Sequence, residues 1–257
     1  MKSTLLYRLL PLLLTCLLLA LAGCGKKGPV KPLEKPLPAA PQKLTAVQQG
    51  KRFQVAWDIP KVNQDGTPLT DLQGFRVYKM RYNPADDCPE CRDTSTLLLQ
   101  VDLDFLKNAE RRGDRLTIWD NVLQTGFGYQ YRVTPYTSKN REGEPAIVRR
   151  PFLPAAPGPR WQEVSGHDRM ARLLWQTPEL PAAAELVGYN LYRLAPGEEP
   201  TSLPVNSSPL TETKHEDFGL QNDVTYNYSL RAIVRLNQTL VESEASPSIE
   251  VTPRVGQ

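Results

Sequence analysis

Apolar and polar residues alternate with a period of two in several short stretches of the chain, the pattern of strands with one buried face. Phe53-Gln54-Val55-Ala56-Trp57 reads this way and ends in an indole, and Ala171-Arg172-Leu173-Leu174-Trp175 does much the same. Gly74-Phe75-Arg76-Val77-Tyr78 and Gly188-Tyr189-Asn190-Leu191-Tyr192 come next, each opened by a glycine. Leu123-x5-Tyr129-x-Tyr131 then matches Leu220-x5-Tyr226-x-Tyr228, with Asp120 and Asp217 each three residues before the leucine. Pro38-Ala39-Ala40-Pro41 recurs as Pro154-Ala155-Ala156-Pro157, 116 residues later. The same landmarks in the same order predict two copies of one module. Short strands separated by Pro, Gly, Asn and Asp clusters predict an all-β fold. The 24 prolines agree with that, since proline stops helices and is kept out of central strands.

The spacings locate an insertion. Trp57 to Gly74 is 17 residues against 13 from Trp175 to Gly188, and glycine to the first tyrosine is 55 against 38. The first module is therefore the longer, with extra residues around 83–115 that include Cys88-Pro89-Glu90-Cys91. Trp57 and Trp175 are each large enough to fill the space between two sheets. These landmarks resemble the fibronectin type III family, where a Trp ends the second strand and a Gly-aromatic pair opens the third. In that family Leu-x5-Tyr-x-Tyr spans the turn into the sixth. The resemblance implies two tandem immunoglobulin-like sandwiches, each of seven strands in two antiparallel sheets. They are expected at 43–153 and 154–257. It also implies structural-core roles for Trp57, Trp175, Leu123, Tyr129, Leu220 and Tyr226. The leucines would plug an open end, and the tyrosine hydroxyls would bond nearby backbone. Two departures stand out: Ala182-Ala183-Ala184-Glu185 occupies a loop where a turn with glycine is commoner, and the last strand of the first copy is poorly marked where Arg149 and Arg150 adjoin.

Ahead of the modules, Lys2 and Arg8 precede an apolar run from Leu9 to Ala22 broken only by Pro11 and Thr15. The run is short for a membrane span, which needs about 20 residues, and its flanks suit an export signal. Leu21-Ala22-Gly23-Cys24 resembles the lipobox of bacterial lipoproteins. By that resemblance residues 1–23 are a signal peptide, Cys24 carries the lipid, and the membrane is reached through that anchor. Gly25 after the anchor, in place of Asp, implies the outer membrane of the cell envelope. Residues 24–42 hold five prolines and read as a Pro/Lys-rich tether. Its opening, Cys24-Gly25-Lys26-Lys27-Gly28-Pro29, is similar to small lipoproteins that assist the lipopolysaccharide translocon. That likeness implies an assembly factor associated with outer-membrane machinery.

Charge narrows the partners. The chain has 31 Lys plus Arg and 28 Asp plus Glu, and the leader takes Lys2 and Arg8 with it. A balance so near zero offers no field for gripping phosphates, so nucleic acid is not an expected partner. Two histidines and four cysteines leave little for acid–base or metal chemistry. In an oxidising compartment Cys88 and Cys91 are expected as a disulfide. No zinc site is expected there, because His167 and His215 sit in the other module. Asn63-Gln64-Asp65-Gly66 reads as a turn, not a calcium loop. Ser165-Gly166-His167-Asp168 carries the letters of a triad, but residues so close in sequence are not expected to face one another, and it reads as a hairpin turn. His215-Glu216-Asp217 reads as a strand end. No catalytic residues, metal or cofactor are expected, and the chain is read as a binding or scaffolding module for a protein. A polysaccharide or cell-wall ligand is the alternative, with Tyr82, Tyr136 and Trp161 as candidate platforms. The cysteine-bracketed insertion is the expected contact surface.

Overall fold

The computed structural model describes residues 36–85, 88, 91–198 and 202–256. The expected leader, Cys24 and the tether through Lys35 lie outside the described residues. The described chain forms strands and no helix: β1 (Gln42–Gln49), β2 (Arg52–Asp58), β3 (Leu72–Tyr82), β4 (Thr96–Asp102), β5 (Glu110–Arg112), β6 (Arg115–Asp120), β7 (Gly128–Thr137) and β8 (Ala146–Pro151) in the first half. The second half holds β9 (Arg160–His167), β10 (Met170–Gln176), β11 (Glu185–Leu194), β12 (Lys214–Phe218), β13 (Tyr226–Leu236), β14 (Thr239–Glu242) and β15 (Ile249–Val251).

Each half is a sandwich of two antiparallel sheets, as the fibronectin type III resemblance implies. In the first, β1-β2-β6-β5 faces β4-β3-β7-β8. In the second, β9-β10-β12 faces β11-β13, to whose outer edge the split last strand, β14 and β15, is paired. Period-two alternation puts the inward set of each sheet into one core. Trp57, Phe75, Val77, Leu116, Tyr131 and Val133 form the first, and Trp175, Leu173, Tyr189, Leu191, Tyr228 and Leu230 the second. Trp57 meets Phe75 edge to face at 5.5 Å between ring centroids, and Trp175 meets Tyr189 at 5.3 Å. Equivalent landmarks thus make equivalent contacts.

The glycine landmark has a steric cause. β3 is irregular in register between Leu72 and Gly74, and β11 between Leu186 and Gly188. At both glycines a neighbouring carbonyl stands where a side chain would begin. A Cβ on Gly74 would lie 2.0 Å from the Val101 oxygen, and one on Gly188 2.7 Å from that of Leu210.

Residues 36–42, read from sequence as the end of the tether, belong to the first sandwich. Pro38 bridges Asn63, and the Leu37 and Pro38 carbonyls accept from the Gln64 and Glu144 amides at 2.9 and 3.0 Å. Proline lacks only the donor; its carbonyl can still accept. The last strand of the first copy forms as β8 despite Arg149 and Arg150, because an edge strand needs only one buried face.

The two halves share a sheet. β14 lies parallel to β1, with Gln48 opposite Val241 and Gln49 opposite Glu242, so one sheet runs β11-β13-β14-β1-β2-β6-β5 through both sandwiches.

Candidate functional site

The core residues chosen from sequence lie at corresponding places. Trp57 and Trp175 are sealed, Leu220, Tyr129 and Tyr226 are buried, and Leu123 is half-buried against the first core. The Gln124 amide donates to the Tyr129 hydroxyl at 2.7 Å, and the Gln221 amide to that of Tyr226 at 3.1 Å. Cys88 and Cys91 are disulfide-bonded, with the Cys91 amide donating to the Cys88 carbonyl at 3.0 Å. Their neighbours Asp86, Asp87, Pro89 and Glu90 lie outside the described residues. The described end of that insertion folds back onto the outer face of β3 and β7. Thr94 N reaches Met80 Sδ at 3.4 Å and Asp93 pairs with Arg132 at 3.5 Å, which leaves Met80 buried.

The second member of each tyrosine pair carries a role the sequence reading missed. The Tyr131 hydroxyl donates to Asp120 at 2.7 Å, and Lys79 Nζ lies 2.6 Å from the same carboxylate oxygen. The Tyr228 hydroxyl donates to Asp217 at 2.7 Å, joined by Arg193 at 2.7 Å. Asp120 and Asp217 are buried. Each cation also stands over the ring of the corner tyrosine, Lys79 4.8 Å from Tyr129 and Arg193 5.7 Å from Tyr226. Burial, then the neighbouring aspartate, raises the hydroxyl pKa of Tyr131 and of Tyr228. In each pair the charges compensate one another and tie one sheet of the sandwich to the other. The repeated aspartate three residues before each leucine was the available signal.

Ser165 and His167 do meet, contrary to the expectation from their closeness in sequence. Alternate residues of a strand share a face, and Ser165 Oγ lies 3.0 Å from His167 Nε2 on β9. Asp168, in the turn that follows, accepts from Asn222 at 2.7 Å. Asp65 closes a turn by accepting from the Thr67 amide and hydroxyl. His215 lies inside β12, not at a strand end. Tyr82 and Tyr136 belong to the first sandwich and Trp161 to the second, and Tyr136 is buried; the three form no exposed row.

The junction between the sandwiches is polar and mostly sealed. Glu242 is buried beside β1 and accepts from Tyr192 Oη at 3.0 Å and Asn190 Nδ2 at 2.6 Å, with Arg231 Nε at 3.9 Å. Burial outweighs these partners and raises its pKa. Gln49 donates to Tyr192 at 3.3 Å, Gln54 to the Ser202 carbonyl at 3.3 Å, and the Ser202 amide to Glu110 at 3.2 Å. Gln48 holds the connecting segment with both ends of its amide, donating to the Leu153 carbonyl at 2.6 Å and accepting from its amide at 3.0 Å. The Gly50 amide donates to the Glu242 carbonyl at 2.9 Å.

Beside this junction runs a groove of about 600 Å³. Thr45–Gln48 of β1, Arg149–Pro151 of β8 and Thr239–Glu242 of β14 line it, with Phe53 and Ile233. Val47 and Leu240 are 40% and 51% exposed there. Its size and its place between two domains make it the candidate site.

No family model matches the sequence. Among solved structures the chain is similar to a crystal structure of the FN1-FN3 domains of chicken CNTN1. The two are 14% identical with a TM-score of 0.35, over 86% of this chain and 69% of that one.

Proposed function

We propose that the chain is a non-catalytic lipoprotein of the cell envelope, anchored through Cys24, whose paired sandwiches act as one body to bind or scaffold a protein partner. The observation that carries this reading is the shared sheet with its buried polar junction, beside which a groove with exposed apolar side chains stays open. Independent modules on a flexible link need no such junction; a surface built from both halves does. Anchoring through Cys24 rests on the lipobox-like Leu21-Ala22-Gly23-Cys24, and outer-membrane residence on Gly25. The non-catalytic reading rests on the engagement of Asp120, Asp217 and Glu242 in structural bonds. A tether of basic, proline-rich sequence would hold the pair off the membrane surface. Photo-crosslinking amino acids placed at Val47 and at Leu240 of the full chain in intact cells test the surface. A discrete adduct from both positions, absent from one placed at Phe218 on the second sandwich, supports it; equal or no adducts at all three refute it. Incorporation of a palmitate analogue into the chain, lost in Cys24→Ala, tests the anchor separately.

A further inference from the structure

We infer that the groove takes large apolar side chains of the protein partner as anchors, and that it holds them through side chains alone, with no strand added to either wall. This rests on the binding reading above and adds the chemistry of the contact. The groove continues the seam between the sandwiches, since β1 and β14 supply both. The parallel register that sets Gln48 opposite Val241 runs Leu240 alongside Val47 and Thr239 alongside Ala46, so β14 itself covers this stretch of the β1 edge. β8, on the other wall, ends at Pro151, which has no amide to donate, and the Arg149 carbonyl accepts from the Arg150 guanidinium at 2.8 Å. Neither wall leaves a run of backbone groups for a guest strand to pair with.

Most polar side chains along the groove are spent on the protein itself. Gln48 is held by Leu153 at both ends of its amide. Asn190 donates to Glu242 at 2.6 Å and accepts from Asn206 at 3.1 Å, and Glu242 accepts from Tyr192 as well. The Thr45 hydroxyl donates to the Ala56 carbonyl at 3.3 Å and accepts from Arg115 at 3.1 Å. Arg149 donates to Gln130 at 2.7 Å. What the groove shows a guest is therefore mainly apolar: Ala46, Phe53, Ile233 and Val241 are buried along it, while Val47 and Leu240 stay exposed. Arg150, Gln238 and Thr239, exposed or half-buried, complete the lining as the polar rim of such a contact. A sugar is held by many hydrogen bonds, and few are left to give here. An acyl chain needs cover on every side, and a groove open at Val47 and Leu240 covers only part of it. Anchors carried by a folded partner bring the remaining cover with them.

Methyl NMR of the mature chain carrying Cys24→Ala tests this with three probes: indole, octanoate and maltohexaose. Indole is expected to shift the methyls of Val47, Ile233 and Leu240. Val47→Leu should keep that binding, and Val47→Asp, which sets a carboxylate among apolar groups, should weaken it about tenfold or more. Tighter binding of octanoate or of maltohexaose at those methyls, shifts elsewhere, or no binding overturns the inference, and so does indole binding that Val47→Asp leaves intact. The two readings are separated in cells. Adducts from the Leu240 crosslinker that persist in Val47→Asp remove the apolar anchor and keep the binding module; a wild-type chain giving no adducts removes the module itself.

Discussion

At the scale of single residues, the two copies differ in one informative substitution. Lys79 and Arg193 are different cations on the same third strand of each module, and each meets a buried aspartate that also accepts a tyrosine hydrogen bond. Removing the cation alone leaves a carboxylate stranded in the interior, a loss of about 3 kcal/mol or more. Lys79→Met is therefore expected to lower the unfolding free energy from urea titration by that measure, whereas Lys79→Arg, which keeps the charge, should lose far less. The tyrosines supply a pH signature. Burial raises the folded pKa of Tyr131, Tyr192 and Tyr228 above their ordinary value of 10.0. The unfolded chain then releases protons that the folded chain retains, so stability is full below about pH 10 and falls as pH rises beyond it. Urea titrations from pH 8 to 11 should show the loss, and Tyr131→Phe with Tyr228→Phe should flatten the slope.

At the scale of strands, what the sequence revealed and what it hid have different physical origins. Trp57, Trp175 and the corner tyrosines were legible because sandwich geometry demands a large side chain or a hydroxyl at fixed offsets, and those demands repeat. The glycine opening β3 was legible for the same reason, and its cause is now a particular carbonyl. Gly74→Ala would drive a Cβ into the Val101 oxygen, and the adjacent strand must shift. Overpacking of this kind costs about 1–3 kcal/mol. Thermal unfolding should show the destabilisation, while Gly66→Ala, in open space, pays only for its positive φ. The pairing of β1 with β14 was not legible. It joins residues 48–49 to 241–242 through two rungs, and no periodicity within either strand encodes a partner so distant. The groove went unread with it, since its walls come from β1, β8 and β14 at once.

At the scale of the whole molecule, the shared sheet is expected to make the two modules unfold as one unit. Gln48 grips the connecting segment, Gln49 and Gln54 reach residues of the second sandwich, and Glu242 is buried at the contact. Unfolding either half exposes these groups in the other, so each half carries part of its neighbour's stability. Calorimetry of the mature chain should give one endotherm whose calorimetric and van't Hoff enthalpies agree. The turn between β1 and β2 is the place to break the coupling. Gly50 sits at φ +60°, and a side chain there would crowd the Glu244 carboxylate and approach Arg231. A β-branched residue strains that backbone, so Gly50→Val should tilt the turn away from β14 and split the endotherm in two. Glu242 adds a sign that a generic loosening lacks. Its folded pKa is raised from the ordinary 4.5 by burial, so its contribution is fully present below that value and is lost as pH climbs through the folded one. Glu242→Gln should erase that slope above pH 4.5 while the single endotherm remains. A wild-type chain already giving two endotherms would show that the junction does not couple the halves, and a slope that survives Glu242→Gln would show that Glu242 is not its source.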